Sequence, residues 1–445
     1  MDVPEVRYAR SGEVAIAYQT FGDGPIDLVF ARGFAGDLLT GWEQPLFVRQ
    51  LEDFARIARV LMLDKRGTGL SDGFREPPTL ETRMDELRLV MDAEDSERAV
   101  LWSAQEGAKL AILFAATYPE RTAGLVLFEP HAASRVSVDY PWAPSEEEWR
   151  LRLAEARDGW GSVDYFRRLL ADWAPERADD PSFLDWFVLH MRRSMSPGAA
   201  LGFLRATMGA DVRDVLPAVR VPTLVLAPPG RPESSEYVAG KIRGAELVVL
   251  PSVRGVYTWA DDAAHERTIA ETERFVSGLS RGRSADRVLA TVLFTDIVSS
   301  TDRAAALGDR AWRDLLARHH AIVRRRLGEF RGEELDTAGD GFLATFDGPG
   351  RAVTCARAIV SDLRELGLDV RAGIHTGECE RLDGKLAGIA LSIGARIAAL
   401  APPGEILVSG TVRDLVAGSN LGFADRGATE LKGVPGEWRL FGVEH

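Results

Sequence analysis

The sequence predicts two domains, an α/β domain followed by a smaller α+β domain. The chain has 445 residues, which is more than one ordinary hydrophobic core accommodates. In residues 1–280, short apolar runs alternate with helical stretches, and this rhythm stops after a polar segment. Apolar residues make up 46% of the chain and charged residues 27%, so the composition indicates a globular protein rather than a disordered one.

Six short apolar runs predict buried strands of a parallel sheet that is covered by helices on both faces. They are LVF (28–30), VLMLD (60–64), AVLW (99–102), GLVLFEP (124–130), TLVLAP (223–228) and ELVVLP (246–251). Residues 134–212 interrupt the rhythm with a helical period, which predicts an inserted helical cap. This cap contains Trp142, Trp149, Trp160, Trp173 and Trp186. Two interpretations of these tryptophans stay open, packing within the cap or the lining of a ligand pocket.

The polar segment SGLSRGRSADR (277–287) follows a helix and precedes a new strand, so we predict a linker at 281–287. It separates a first domain, 1–280, from a second, 288–445. The second domain begins with the strand VLATVLFTDI and a helix, followed by the hairpin GEELDTAGDGFLATF and a helix over 350–366. The strand DVRAGIHTGE, a helix over 388–400 and the strand EILVSG come next. This order predicts an α+β fold.

Charge and the remaining sequence features restrict the location and the partners. The net charge of −13 argues against nucleic acid as the main partner. No run of eighteen apolar residues predicts a membrane span, and the N-terminus lacks the basic and apolar regions of a signal peptide. Cys355 and Cys379 have no metal or redox spacing, so we expect reduced thiols and a cytoplasmic location.

The first domain has the sequence of a hydrolase frame. A catalytic α/β-hydrolase places its nucleophile in a G-x-S-x-G elbow after a central strand, and the segment after AVLW is SAQEG (103–107). The segments VFARGF, LDKRGTGLSD, LFAATYPERTAGLVLF and VPTLVL resemble the α/β-hydrolase halves of actinobacterial hydrolase–cyclase fusion proteins. The resemblance covers about residues 5–280 and implies an α/β-hydrolase fold with a helical cap. It places Gln105 at the nucleophile position and Ser103 at the first glycine.

The other two positions of a catalytic triad also carry unsuitable residues in this alignment. The acid position falls in a loop at Arg231, and the base position falls at Gly255. A carboxamide is not a nucleophile for a carbonyl carbon, and no imidazole is placed to activate one. We therefore expect no hydrolase activity. The alternative is that Ser103 acts as a displaced nucleophile. The domain would serve as a scaffold or bind an unknown small ligand.

Two aspartates in the second domain suit a hard cation. Asp296 ends an apolar strand before a Ser-rich turn into a helix, and Asp340 lies between glycines at the tip of a hairpin. Together with AGIHTGE and ELKG in order, they resemble class III adenylyl and guanylyl cyclases over about residues 288–443. The resemblance implies a ferredoxin-like class III nucleotide cyclase domain. It also implies two Mg²⁺ or Mn²⁺ ions per site, bound by Asp296, Asp340 and the Ile297 carbonyl.

The same resemblance implies roles for two cationic residues and a partner. Arg396, in SIGARIAAL, falls at the position of the transition-state arginine, and Lys432, in ELKG, at that of a phosphate-binding lysine. Cyclase sites of this family form between two head-to-tail catalytic domains, so a homodimer and a nucleoside triphosphate substrate are implied. The alternative is that Arg396 is only a surface residue of a helix and Lys432 only a residue of a turn.

Three positions depart from the family pattern. Asp336 stands where the base-selecting lysine is expected, Lys385 where the base-selecting aspartate is expected, and Ser392 where an asparagine or histidine is expected. Asp336 and Lys385 still supply one acceptor and one donor, in exchanged order. Either they contact the purine, or they pair with each other and occlude the base pocket. The sequence therefore predicts an adenylate cyclase that makes cyclic AMP from ATP, with a non-catalytic ligand sensor as the second interpretation and an esterase disfavoured.

Overall fold

The computed structural model describes residues 1–252, 255, 257–279, 287–382 and 385–444. The chain divides into two compact units, Met1–Ala285 and Asp286–His445. The predicted linker at 281–287 lies outside the described residues except for Arg287, which begins a strand. Across the described segments, every helix is too short or too polar to cross a membrane.

The first unit contains a mixed sheet. Its strands are β1 (Arg7–Ser11), β2 (Val14–Phe21), β3 (Asp27–Ala31), β4 (Arg59–Leu63), β5 (Ala99–Ala104), β6 (Thr122–Phe128), β7 (Thr223–Ala227) and β8 (Glu246–Val249). Their order is β1-β2-β4-β3-β5-β6-β7-β8, and β3 to β8 run parallel as the six apolar runs predict. The prediction that all six are buried is wrong for β8, because this strand lies at the edge of the sheet and three of its four residues are exposed.

The sheet also has an antiparallel edge that the six apolar runs do not include. Strands β1 and β2 form an antiparallel hairpin, and β2 pairs antiparallel with β4. The tight turn of this hairpin uses Gly12, which has a φ of +60°. Because four of the five residues of β1 are largely exposed, its sequence lacks the apolar run that marks the other strands.

Helices cover the sheet and form the cap. They are α1 (Pro45–Ile57), α2 (Leu80–Ala93), α3 (Ala108–Thr117), α4 (Glu146–Gly159), α5 (Val163–Trp173), α6 (Pro181–Ser194), α7 (Pro197–Gly209), α8 (Glu233–Lys241) and α9 (Asp262–Gly278). Helices α4 to α7 lie between β6 and β7, within the predicted cap at 134–212. Every residue of β6 and β7 is buried, which is the pattern of strands covered on both faces.

The second unit is an α+β domain. Its strands are β9 (Arg287–Ile297), β10 (Glu333–Ala338), β11 (Gly341–Phe346), β12 (Val370–Leu382), β13 (Lys385–Ala387), β14 (Ile406–Ser409), β15 (Phe423–Glu430) and β16 (Glu437–Val443). Its helices are α10 (Ser300–Leu307), α11 (Asp309–Glu329), α12 (Pro349–Glu365), α13 (Ile389–Leu400) and α14 (Gly410–Leu415). The sheet order β10-β11-β9-β12 with α11 and α12 as connections is ferredoxin-like, and β14, β16 and β15 extend it.

Close packing of α13 on the sheet depends on two glycines. A Cβ atom on Gly373 of β12 would lie 2.1 Å from the backbone nitrogen of Ala398, and one on Gly394 would lie 2.8 Å from Val292. The backbone of α13 therefore contacts the backbone of β12 and the side chains of β9 directly. This contact fixes the helix that carries Ser392 and Arg396.

Candidate functional site

The two predicted metal-binding aspartates lie at the same end of neighbouring strands. Asp296 is the penultimate residue of β9, and Asp340 immediately precedes the first residue of β11. The antiparallel register pairs Phe342 with Thr295, so the turn that holds Asp340 lies beside the end of β9. Neighbouring strands are separated by roughly 4.8 Å. The sheet thus brings the two residues to adjacent positions.

Asp296 is held by an arginine that sequence analysis did not identify. Asp296 pairs in register with Arg371 on β12, and its Oδ2 accepts hydrogen bonds from Nη2 of Arg371 at 2.6 Å and from Nε at 3.1 Å. The same guanidinium donates to the carbonyl of Ala399 at the end of α13. Arg371 lies directly opposite Asp296 because of the register between β12 and β9, and this register cannot be predicted from the sequence alone.

Asp340 has a carboxylate oxygen available for a ligand. Its Oδ2 is buried and has no hydrogen-bond partner among the described residues. A buried acceptor of this kind is unfavourable unless it binds something, and oxygen ligands suit Mg²⁺ and Mn²⁺. The donor set of two carboxylates and the Ile297 carbonyl therefore fits a hard divalent cation. In the described part of the chain, no group of three or more His, Cys, Asp or Glu residues forms a complete metal site.

Helix α11 braces the hairpin that carries Asp340. Nε2 of His320 donates to the carbonyl of Gly339 at 2.9 Å, and its ring packs edge-on against Phe342 at 5.1 Å. Arg324 donates twice to Glu334 of β10, at 2.8 and 2.9 Å. Hydrogen bonds from Arg324 hold the pKa of Glu334 at about 2. These braces, which sequence analysis missed, lie between helix and hairpin and have no local sequence signal.

Helix α13 brings three predicted residues to one region. Ser392 and Arg396 are exposed and lie four residues apart, so they share one face of the helix. Nε of Arg396 donates to the carbonyl of Lys432 at 3.1 Å. Lys432 lies in a turn closed by the bond from Val434 N–H to the Leu431 carbonyl. Arg396 and Lys432 are therefore neighbours.

The two predicted base-contacting residues occupy distant levels of the sheet. Asp336 pairs with Leu343 on β11, and Leu343 pairs with Phe294 on β9, which is level with Gly373 on β12. Lys385 pairs with Leu382, nine positions further along β12. Asp336 is exposed and accepts a hydrogen bond from the Thr337 N–H. The side chain of Lys385 lies outside what the structure describes, and the backbone register gives no support to direct pairing of the two residues within one chain.

In the first unit, the elbow is present and carries Gln105. Gln105 has a φ of +48°, the sparsely populated conformation of a strand-to-helix elbow, and follows β5 directly. Ser103 lies within β5, is fully buried and donates to the carbonyl of Ala31 at 2.8 Å. The geometry thus identifies Gln105, not Ser103, as the residue at the elbow.

Gln105 belongs to a polar network that replaces a triad. Its Nε2 donates to Oε2 of Glu129 at 2.9 Å, and Arg231, at the predicted acid position, forms an ion pair with Glu129 at 3.0 Å. Burial raises the pKa of Glu129, and the Arg231 charge opposes this. Glu129 follows β6 rather than β7, so the search for an acid after β7 did not find it.

The base position has no room for a side chain. Gly255 is buried, and a Cβ atom there would lie 2.0 Å from the carbonyl oxygen of Trp173. Residues 253, 254 and 256 of this loop lie outside the described residues. Two histidines lie near the elbow instead. His131 donates its backbone N–H to the Gln105 carbonyl, and His190 lines the same cavity as Gln105.

Comparison with known proteins gives a family match for the second unit and a similar fold for the first. Residues 284–444 match the family model of the adenylate and guanylate cyclase catalytic domain. A receptor-type adenylate cyclase of Trypanosoma brucei brucei, GRESAG 4.3, is 28% identical over 202 residues, covering 34% of this chain and 16% of the relative. An uncharacterized protein of Mycobacterium tuberculosis is 29% identical over 157 residues, covering 35% and 41%. The chain spans 16% to 41% of the lengths of such curated relatives.

The first unit is similar to solved α/β-hydrolase structures. An enol-lactonase from Burkholderia xenovorans has 21% identity and a TM-score of 0.51, covering 61% of this chain and 100% of that chain. A bromoperoxidase from Bacillus anthracis has 17% identity and a TM-score of 0.53, covering 62% and 100%. At these identities the likeness concerns the fold. The chain therefore combines an α/β-hydrolase fold with a class III nucleotide cyclase domain, as in hydrolase–cyclase fusion proteins.

Proposed function

We propose that the cyclase domain converts ATP to cyclic AMP and pyrophosphate with the help of two divalent cations, Mg²⁺ or Mn²⁺. The observation that carries the proposal is the placement of Asp296 and Asp340 side by side, with one oxygen of Asp340 left without a partner among the described residues. The similarity to a protein named as an adenylate cyclase supports ATP as the substrate.

Asp296, Asp340 and the carbonyl of Ile297 would hold the cations. Bound there, such cations lower the pKa of the ribose 3′-hydroxyl and neutralise the triphosphate. The chain itself fixes the ligands, since Arg371 orients the Asp296 carboxylate. The first turn of α10 follows Asp296 closely and has no side-chain cap, so its backbone N–H groups are available to phosphate oxygens.

Arg396 and Lys432 supply the positive charge for phosphoryl chemistry. In this proposal Arg396 stabilises the charge that develops around the α-phosphorus, and Lys432 binds the triphosphate. The hydrogen bond from Arg396 to the backbone carbonyl of Lys432 keeps the Arg396 side chain next to the turn that carries Lys432. The cyclase domains form a head-to-tail homodimer in this proposal. Arg396 and Lys432 of one copy contact the nucleotide that the aspartates of the second copy hold through the cations.

The base is the least conventional part of the proposed site. The Asp336 carboxylate accepts hydrogen bonds only, so it pairs with the 6-amino group of adenine. The backbone of Lys385 lies nine positions further along the sheet, roughly 30 Å away, so Asp336 and Lys385 of one chain do not share one purine. A carboxylate also accepts from the N1–H and 2-amino groups of guanine, so GTP is the necessary comparison. Ser392, on the face of Arg396, offers a shorter side chain than the asparagine of the family pattern.

The proposal is tested with the purified full chain, Mn²⁺ and either ATP or GTP. We expect cyclic AMP, and we expect Asp296→Asn and Asp340→Asn each to lower its formation by at least about a hundredfold, because each removes a charged metal ligand. Asp314→Asn, on the exposed side of α11, is the matched control and leaves the rate unchanged. Product that persists in both site variants, or cyclic GMP as the main product, would refute the assignment.

For the first domain we propose a role without hydrolysis, because Gln105 occupies the elbow and Gly255 leaves no space for a base. Hydrolysis of p-nitrophenyl acetate should not exceed the rate without protein. Ser103→Ala provides the second measurement. If the parent chain hydrolyses the ester and Ser103→Ala abolishes this activity, Ser103 is a displaced nucleophile and the proposal is wrong.

A further inference from the structure

A cavity lies inside the first domain, between the elbow and the cap. Its volume is about 110 Å³, somewhat less than the roughly 150 Å³ of an engineered cavity that holds benzene. It is lined by the loop after β3, by the elbow with Gln105 and Glu106, by α5 and α6 of the cap, and by the segment that ends at Trp259. The cavity is partly open to solvent, so a small organic molecule slightly larger than benzene can occupy it with one end at the opening.

Aromatic rings form most of the wall. They belong to Phe30, Phe34, Phe47, Trp102, Trp173, Trp186, Tyr257 and Trp259. Tyr257 stacks on Trp259 with ring centroids 4.7 Å apart, and Trp186 stacks on His190 at 5.1 Å. Of the five cap tryptophans, Trp173 and Trp186 thus line a pocket, whereas Trp149 is 5% exposed and bonds to Ser134 within the domain. Flat aromatic surfaces of this kind favour a planar ligand.

Four lining residues keep buried polar atoms that have no hydrogen-bond partner in the described part of the chain. Both amide atoms of Gln50 are unpaired, and Gln50 is fully buried. Nε1 of Trp102, which is 3% exposed, Oε1 of Glu106 and Nε of Arg32 are also unpaired. An unpaired buried polar atom costs free energy, so the cavity wall requires both a donor and an acceptor.

The charges around the cavity do not favour an anion. The Arg32 guanidinium is already paired with Asp64 at 2.7 Å. Burial lowers the pKa of His190 to about 4, and its Nδ1 is bonded to Thr40 at 2.7 Å, so this imidazole is neutral. Glu106 is therefore the unpaired charged acceptor of the wall, and it repels a carboxylate ligand.

Three cationic residues lie near Glu106 but do not line the cavity. Burial lowers the pKa values of Lys65, Arg83 and Lys109, and the nearby charge of Glu106 opposes this shift. A cationic ligand would therefore meet these three groups behind the carboxylate. A neutral molecule with an N–H or O–H donor meets no such opposition.

We propose that this cavity binds a small, uncharged aromatic molecule that carries both a hydrogen-bond donor and an acceptor, as aromatic amides and lactams do. The donor group would bond to Glu106 and the acceptor group to the Trp102 N–H, with Gln50 able to serve either. The proposal does not depend on the cyclase activity, because binding is measured directly.

Four molecules with the same phenyl ring separate the chemistries: benzamide, benzamidine and benzoate, which are equal in size, and the smaller toluene. Their binding to the full chain is followed by tryptophan fluorescence and by the shift in melting temperature. We expect benzamide to bind at least roughly fivefold more tightly than each of the other three, since benzamidine lacks the acceptor, benzoate lacks the donor and toluene lacks both. Tighter binding of benzamidine, benzoate or toluene, or no binding of benzamide, would overturn the proposal.

Two variants locate the site. Trp102→Phe keeps an aromatic ring and removes the N–H, so benzamide binding should weaken by roughly fivefold while toluene binding is unchanged. Glu106→Leu should weaken benzamide binding and strengthen benzoate binding. Trp142→Phe is the control, because Trp142 is 39% exposed and does not line the cavity. Benzamide affinity that is equal in Trp102→Phe and the parent chain would place the ligand elsewhere.

Discussion

Lys109 is a buried cation one turn after the elbow. It lies on α3, is 1% exposed, and its Nζ has no hydrogen-bond partner among the described residues. Burial lowers the pKa of Lys109 to about 8. In the unfolded chain the amine titrates near about 10.4, so between these values the unfolded state binds more protons and stability rises with pH. Below pH 8 the folded state carries the full cost of burying the charge.

Lys109→Met should therefore stabilise the protein at neutral pH. We expect the free energy of unfolding at pH 7 to rise by up to about 3 kcal/mol, at about 1.4 kcal/mol per pKa unit. The gain should shrink as the pH rises from 8 to 10.5. Urea unfolding at pH 7 and pH 10 measures both values, with the exposed Lys241→Met as the control. A gain of equal size at the two pH values would show that the charge is not the cause.

His320 affects the metal site through a single hydrogen bond to the hairpin that carries Asp340. It donates to the carbonyl of Gly339, the residue before Asp340, and so positions the tip of the hairpin. We expect His320→Ala to raise the Mn²⁺ concentration for half-maximal protection against thermal unfolding by roughly tenfold, as for other residues that orient a metal ligand. His320→Gln, which keeps a donor, should recover part of the affinity.

The neighbouring exposed residue Arg318 supplies the control for this measurement. Arg318→Ala lies on the same helix and should leave the Mn²⁺ dependence unchanged. Equal Mn²⁺ dependence in His320→Ala and the parent chain would show that the hairpin holds its shape without this bond.

At the scale of elements, the contact of α13 with the sheet is the most sensitive to added volume. Gly373→Ala would push a methyl group to within 2.1 Å of the Ala398 nitrogen, so the helix must move. We expect a loss of about 2 kcal/mol in the free energy of unfolding, typical of overpacking, together with reduced cyclase activity. Gly328→Ala on α11, where nothing lies within 4 Å, should be neutral or slightly stabilising.

The elements show what local sequence specifies. The apolar runs predict β3 to β7 closely, because strands with buried faces carry an uninterrupted apolar signal. The apolar run of β8 also marks a strand, but this strand lies at the sheet edge and is largely exposed. The elbow was predictable at Gln105 because it must follow β5. The Gln105–Glu129–Arg231 network was not, since Glu129 meets its partners across three loops. Arg371 escaped notice for the same reason, because its contact with Asp296 is set by pairing of β9 with β12.

At the scale of the whole molecule, the change of rhythm along the chain correctly indicates two kinds of fold. An α/β-hydrolase fold contributes an aromatic cavity, and a ferredoxin-like sheet contributes two adjacent carboxylates. The six predicted strands do not include the antiparallel hairpin of β1 and β2, and exposure weakens the apolar signal of β1. What sequence patterns do not specify is how residues of two copies combine, and this requires an experiment on the assembly.

Mixing two inactive variants tests whether the proposed site is shared between chains. In a head-to-tail dimer, a pair of Asp296→Asn and Arg396→Ala chains contains one site with both residues intact and one with neither. Random pairing makes half of the dimers mixed, so we expect about a quarter of the parent activity. A mixture of Asp296→Asn and Asp340→Asn should stay inactive, because those residues belong to the same half of the site. If the first mixture were also inactive, Asp296 and Arg396 would act within one chain.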